Sequence, residues 1–198
     1  HGANVLLRSA SRGENWEVIS PDLTTNDPER REVGPLAYST LTTLDESPVQ
    51  QGVIWVGTDD GNVQLTRDDG QTWTLLNDNI AGNPGYWVSS VEASHHAAGT
   101  AYVAYFGRRR DDFRPFVYKT TDFGASWTAI VDGLPPDEPI NVLVEDHKNP
   151  NLLFAGSEKA VHVSIDGGGH WSRMQNNMPN VGVHDLVTGT GHQASISR

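Results

Sequence analysis

The chain contains no cysteine. It therefore has no disulfide framework, no thiol nucleophile and no cysteine-ligated metal. That absence suits an exported protein without proving export. Basic residues are few, 14 against 25 acidic, for a formal net charge of −11. Nucleic acid and anionic membrane both require a basic footprint, so neither is expected as a partner. No apolar run approaches the ~18 residues of a membrane span. The opening His1-Gly2-Ala3 has neither a charged n-region nor an apolar h-region, and it lacks Met. No signal peptide is read there, and the start is not a natural one. Nor is any convincing helical period found. What is plentiful is Gly, at 20 residues, with 11 Pro, a composition suited to many short strands and turns. The length of 198 residues allows one sizeable core.

One eight-residue phrase occurs four times. The clearest copy is Thr66-Arg67-Asp68-Asp69-Gly70-Gln71-Thr72-Trp73, followed by Thr120–Trp127 and Ser164–Trp171. A worn copy, Ser9–Trp16, has Ser11 in place of Asp, with Gly13 and Trp16 retained. The shared rule is Ser/Thr-x-Asp-x-Gly-x-x-Trp, and four of the six tryptophans fall in it. Self-similarity of this kind decides the architecture. Asp two residues before Gly makes a turn: the carboxylate accepts backbone N–H groups ahead of it and Gly supplies positive φ. Each copy reads as a hairpin tip whose Trp folds back to be buried. Asp68, Gly70 and Trp73, then Asp122, Gly124 and Trp127, then Asp166, Gly168 and Trp171, are accordingly structural.

The phrase resembles the Asp-box, or bacterial neuraminidase, repeat found in β-propellers such as sialidases, some xyloglucanases and sortilin-type receptors. The stretches Ile54–Gly61 and Trp16–Asp27 are similar to large bacterial sortilin-like or glycosyl-hydrolase-like proteins. The resemblance spans roughly residues 3–187. It implies a propeller fold and, first, a carbohydrate-active hydrolase using carboxylates on the loop face; the alternative is a non-catalytic module of sortilin type holding a glycan or peptide.

Between the phrases run short strands of high β-propensity, four to a cycle, with the phrase joining the third to the fourth. The chain opens with an outer half-blade (residues 1–20) and continues through whole blades at about 36–76, 87–131 and 140–174. It closes with an inner half at about 183–198. Three whole blades and one composite blade are expected, making a four-bladed ring closed by the two termini. The alternative is a homodimer joined through its open half-blades. The tail Thr188–Arg198 departs from the ending of sortilin-like relatives, so the chain reads as a piece of a longer propeller, exported in its parent protein.

Ligand sites are expected on the face carrying the loops into each first strand and the turns between second and third strands. Arg108, Arg109 and Arg110, beside Asp111 and Asp112, form the densest charge there. A sialidase-like site uses arginines on a substrate carboxylate, but from separate blades, so this run is either ligand-binding or a solvated loop. Asp59 and Asp60 offer a carboxylate pair, or else a hairpin turn of Asp-Gly type. Glu158 occupies the equivalent turn of the third whole blade. Converging carboxylates would suit glycoside hydrolysis or a central calcium. Tyr86 and Trp87 would stack on a sugar or pack between blades. His184 beside Asp185 is a candidate general base. His95, His96 and His147 lack zinc-type spacing and read as turn residues.

Overall fold

The computed structural model describes residues 3–31, 38–175, 179–188 and 194–197. The chain is built of short strands. β1 (Leu7–Arg8) and β2 (Glu17–Val18) form a two-stranded sheet. Three four-stranded antiparallel sheets follow: β3 (Leu41–Glu46) to β6 (Thr74–Leu75), β7 (Trp87–Ala93) to β10 (Thr128–Ala129), and β11 (Ile140–Glu145) to β14 (Ser172–Arg173). Between those ends lie β4 (Ile54–Thr58), β5 (Val63–Thr66), β8 (Ala101–Phe106), β9 (Phe116–Thr120), β12 (Leu153–Ser157) and β13 (Val161–Ser164). β15 (Asp185–Thr188) and β16 (Ala194–Ser197) end the chain as a second two-stranded sheet. The protein is an all-β propeller of four-stranded blades, three whole, with a half-blade at each end.

The expectation that no helix is present is corrected. A short helix, α1 (Pro28–Arg31), forms where no helical period is found; Asp27 Oδ1 caps it at the Glu29 N–H, 3.0 Å away, and Pro28 suits its first position. Single 3₁₀ turns also stand at Asn77–Asn79 and Arg108–Arg110. The expected start of the first whole blade near Leu36 and the tail residues 189–193 lie outside the described residues.

The repeated phrase folds as one turn. Asp68 accepts the Thr72 N–H at 2.8 Å, and Thr66 Oγ1 accepts the Gly70 N–H at 2.9 Å. The copies at Asp122 and Asp166 repeat the first bond at 2.9 Å each. In the worn copy Ser11 Oγ replaces the carboxylate and accepts the Asn15 N–H at 2.8 Å. Hydrogen bonding holds the three carboxyls of Asp68, Asp122 and Asp166 below the usual range, the bonds from Thr72, Ser126 and Ser164 leading.

The residue after each outer strand closes its blade in the same way. Ile19, Leu76, Ile130 and Met174 donate their N–H to Leu6, Val63, Val117 and Val161, each at 2.9 Å. The next turn packs on that residue. Trp73 Nε1 donates to Ile19 O at 3.1 Å and Trp171 Nε1 to Ile130 O at 2.8 Å. Trp127 is buried edge-on against Trp55, with ring centroids 6.1 Å apart. The expectation that every Trp of the phrase is buried is met in part at Trp73, which is half-buried, and fails at Trp16, which is 61% exposed. The described residues hold no outer strand ahead of it to receive it.

The inner strands are stapled in series by side chains. Each carries a β-bulge, skipping Thr42, Ser89 and Asn141 in the ladder to the second strand. A bulge re-aims its side chain, and these three reach the next blade. Thr42 donates to Val88 O at 2.8 Å, Ser89 to Ile140 O at 2.7 Å, and Asn141 to Val183 O at 3.2 Å. Nearer the other face, Asp45 accepts the Ala93 N–H and Glu92 the Glu145 N–H, at 2.8 and 2.9 Å. The core fills the gaps between sheets, with Trp55, Tyr105 and Trp171 among its fully buried side chains.

Candidate functional site

The loop face has a cavity of about 310 Å³ where the second and third whole blades meet the terminal half-blade. Its aromatic wall is Trp87, at the start of β7, and Phe106, at the end of β8. Its polar lining is Ser89, Arg109, Asn141, Glu158 and His184. Four residues expected from sequence therefore meet here: Trp87, Arg109, Glu158 and His184. Asn141 and Ser89 were not foreseen. Their signal is the polar residue at the start of each inner strand, whose meaning depends on the bulge.

The Arg108–Arg110 turn folds over this wall. Arg109 Cζ lies 4.0 Å from the Trp87 ring centroid and 5.9 Å from that of Tyr38. This is a stacked cation–π contact, worth about 0.5–1 kcal/mol at an exposed site. Arg108 Nη1 reaches Glu158 Oε2 at 3.1 Å. Asn141 Nδ2 donates to Glu158 Oε1 at 3.1 Å. Glu158 is thus held on both oxygens, and its side chain keeps 24% exposure. Arg110 lines a second, tighter cavity with Tyr38, Asp59 and Tyr86. The two cavities share Trp87, Phe106 and Arg109 as a common wall.

The remaining predicted residues have other neighbours. Asp59 is buried, accepting the Ser39 and Thr40 N–H groups at 2.9 Å each and the Thr40 hydroxyl at 3.0 Å. Asp60 is buried too, accepting the Thr25 N–H at 2.8 Å and hydroxyl at 2.7 Å. These bonds moor the strand entry and the preceding loop to the tip of β4. Asp112 accepts Arg114 Nε and Nη2 at 2.9 and 2.7 Å and the Tyr86 hydroxyl at 3.2 Å. The Arg114 bond is the main reason its carboxyl falls to about 2. Asp111 is exposed and ends the 3₁₀ turn with φ 55°.

On the opposite face, the His95 and His147 rings lie 4.1 Å apart, and His95 Nε2 is 3.6 Å from Glu92 Oε1. Burial, then the His147 charge, lower the His95 pKa. Among the described residues no group of three or more His, Asp or Glu side chains is arranged to hold a metal ion. Among the described residues no helix is long and apolar enough to cross a membrane.

No protein-family model matches the chain, and no curated protein matches it in sequence. Solved structures match its fold. An ancestral GH74 enzyme aligns with a TM-score of 0.64 at 21% identity, over 88% of this chain and 22% of that one. The GH74 xyloglucanase of Xanthomonas campestris aligns at 0.65 and 22% identity, over 89% and 28%. YCF48 bound to a D1 peptide aligns at 0.59 and 16% identity, over 79% and 47%. The chain thus spans between about a fifth and a half of the length of these structures. At such identity the likeness is one of fold, and glycoside hydrolases stand in it beside a peptide-bound propeller.

Proposed function

We propose that the chain is a carbohydrate-binding propeller segment whose glycan lies against Trp87 on the loop face. The observation that carries this reading is the convergence of an aromatic platform with Asn141, Glu158 and His184 in one cavity. Sugar sites combine an apolar ring face with a few placed polar groups. Glu158 is already held on both oxygens by Arg108 and Asn141, which fixes it in place as an acceptor for sugar hydroxyls. The repeated turns are read as Asp-boxes, and the chain as part of an exported protein of sortilin-like or glycosyl-hydrolase-like type.

Glycoside hydrolysis is a second reading. It is favoured by one observation: Glu158 lines one and Asp59, from a different blade, the other of two cavities that share Trp87, Phe106 and Arg109. A pair of carboxyls flanking the scissile bond is what that chemistry needs.

Titration calorimetry against cello-, xylogluco- and sialyl-oligosaccharides, with a reducing-end assay on the same sugars, separates the two. Binding without turnover, lost in Trp87→Ala, supports the binding module. Turnover abolished by Glu158→Gln with binding retained establishes hydrolysis. If no saccharide binds, both readings fall.

A further inference from the structure

We infer that the saccharide held in the Trp87 cavity is an amino sugar with a free amine, its protonated nitrogen meeting Glu158 and the Trp87 ring. This rests on the reading that a glycan occupies the cavity, and it adds which glycan. The polar side chains lining the cavity have already spent their protons. Ser89 Oγ gives its one hydroxyl proton to Ile140 O at 2.7 Å. Asn141 Nδ2 donates to Glu158 Oε1 at 3.1 Å and to Val183 O at 3.2 Å, which uses both protons of the amide. What Ser89, Asn141 and Glu158 have left to offer a ligand is lone pairs.

A ligand on these three side chains must therefore donate. A sugar hydroxyl can do so, but it brings acceptor lone pairs with it. An ammonium brings three protons and no acceptor. It is also the stronger partner for a carboxylate, since charge-assisted hydrogen bonds are about twice as strong as neutral ones. An acidic sugar would find Arg109, but it would set its own charge and acceptor oxygens against Glu158, Ser89 and Asn141.

The chain's own cations already stand where such a nitrogen would go. Arg108 Nη1 lies 3.1 Å from Glu158 Oε2. Arg109 Cζ lies 4.0 Å over the Trp87 ring, and Arg109 pairs with no carboxylate among the described residues. Both arginines are exposed and both belong to the single 3₁₀ turn Arg108–Arg110. One turn thus lays a cation on the carboxylate and another on the aromatic face, and an aromatic face is a cation site in its own right. An incoming ammonium replaces contacts of the same kind, so Glu158 is not left unpaired when Arg108 gives way. The net charge of −11 favours a cationic ligand in the same sense.

Oligosaccharides of the cellulose linkage and of equal length, built of glucosamine, of N-acetylglucosamine or of glucose, differ only in the group beside the anomeric carbon. Titration calorimetry at about pH 6, where the amine is charged, should show the glucosamine oligomer binding about tenfold tighter than the other two. Glu158→Gln should bring it down to the affinity of the glucose oligomer. Arg108→Ala, which frees the carboxylate, should tighten glucosamine binding about threefold; Arg108 is exposed, so circular dichroism should show the fold intact. Equal affinities for the three sugars overturn the inference while leaving a saccharide site in place, and so does tighter binding of a uronic-acid or sialyl-oligosaccharide. A preference for glucosamine that survives Glu158→Gln overturns the assignment to this cavity. If no saccharide binds, the inference falls together with the reading beneath it.

Discussion

Glu92, on the inner strand of the middle blade, accepts the backbone N–H of Glu145 in the next blade at 2.9 Å while remaining largely buried. Burial, with Asp45 and Glu145 adding negative charge nearby, raises its pKa from 4.5 to about 8. The folded state therefore keeps a proton that the unfolded chain releases. The resulting stability is complete below about pH 4.5 and is lost as pH rises through about 8. Glu92→Gln should flatten that decline and raise stability above pH 8 by a few kcal/mol, since each tenfold difference in proton affinity is worth about 1.4 kcal/mol. Urea unfolding of both proteins across this window measures it. Parallel curves would place the proton elsewhere.

The mooring of the first blade can be broken at one atom. Gly70 has φ 91°, and a Cβ there would sit 2.4 Å from the Ile19 carbonyl oxygen. The obstacle is backbone on a hydrogen-bonded strand end, so it cannot step aside. Gly70→Ala should cost about 2–4 kcal/mol, strain and clash together, and thermal melting would register it. Gly85→Ala, at φ 63° with open space around it, carries only the strain and should cost less.

His162 is buried with Nε2 3.1 Å from Glu138 Oε2, which also accepts the Ser157 hydroxyl at 2.8 Å. Burial holds the His162 pKa down against the pull of Glu138. A base depressed in this way supports the fold above its unfolded pKa and withdraws support as pH falls below about 6.5. His162→Gln should lessen acid sensitivity in that range. Glu138→Leu should destabilise by about 1–3 kcal/mol, because the buried His162 Nε2 loses its partner while Ser157 keeps its bond to Ala160 O. Denaturant midpoints at neutral and mildly acidic pH distinguish the two effects.

Arg109 covers the Trp87 face that a sugar ring would use. Arg109→Ala should strengthen saccharide binding about three- to tenfold by removing that competing contact. Trp87→Ala should abolish binding in either background. Calorimetry on the single and double variants gives the answer, and a loss of affinity in Arg109→Ala would make the guanidinium a ligand contact instead.

The fold was legible because its signals are local. Asp68, Gly70 and Trp73 act within eight residues, and the inner strands Trp87–Ala93 and Ile140–Glu145 carry their own periodicity. The site was legible only in part. Trp87, Arg109, Glu158 and His184 stand on loops that the blade order alone sends to one face. The roles of Asp59 and Asp60 could not be read, because their partners Thr40 and Thr25 lie 19 and 35 residues away. Asn141 was missed for a related reason: a single bulge turns it from the pleat toward Glu158. Trp16 was misjudged because burial depends on a neighbour as well as on the residue.

Each cross-blade tie, from Thr42, Ser89 and Asn141 to Trp73 and Trp171, joins a blade to the one beside it. The chain is consequently a short one-dimensional array, with its free energy close to a sum of blade terms and junction terms. Each of the three whole blades has a junction on both sides, while among the described residues each half-blade has one. Unfolding should therefore proceed inward from the ends, so that the amides of β7 and β8 exchange last.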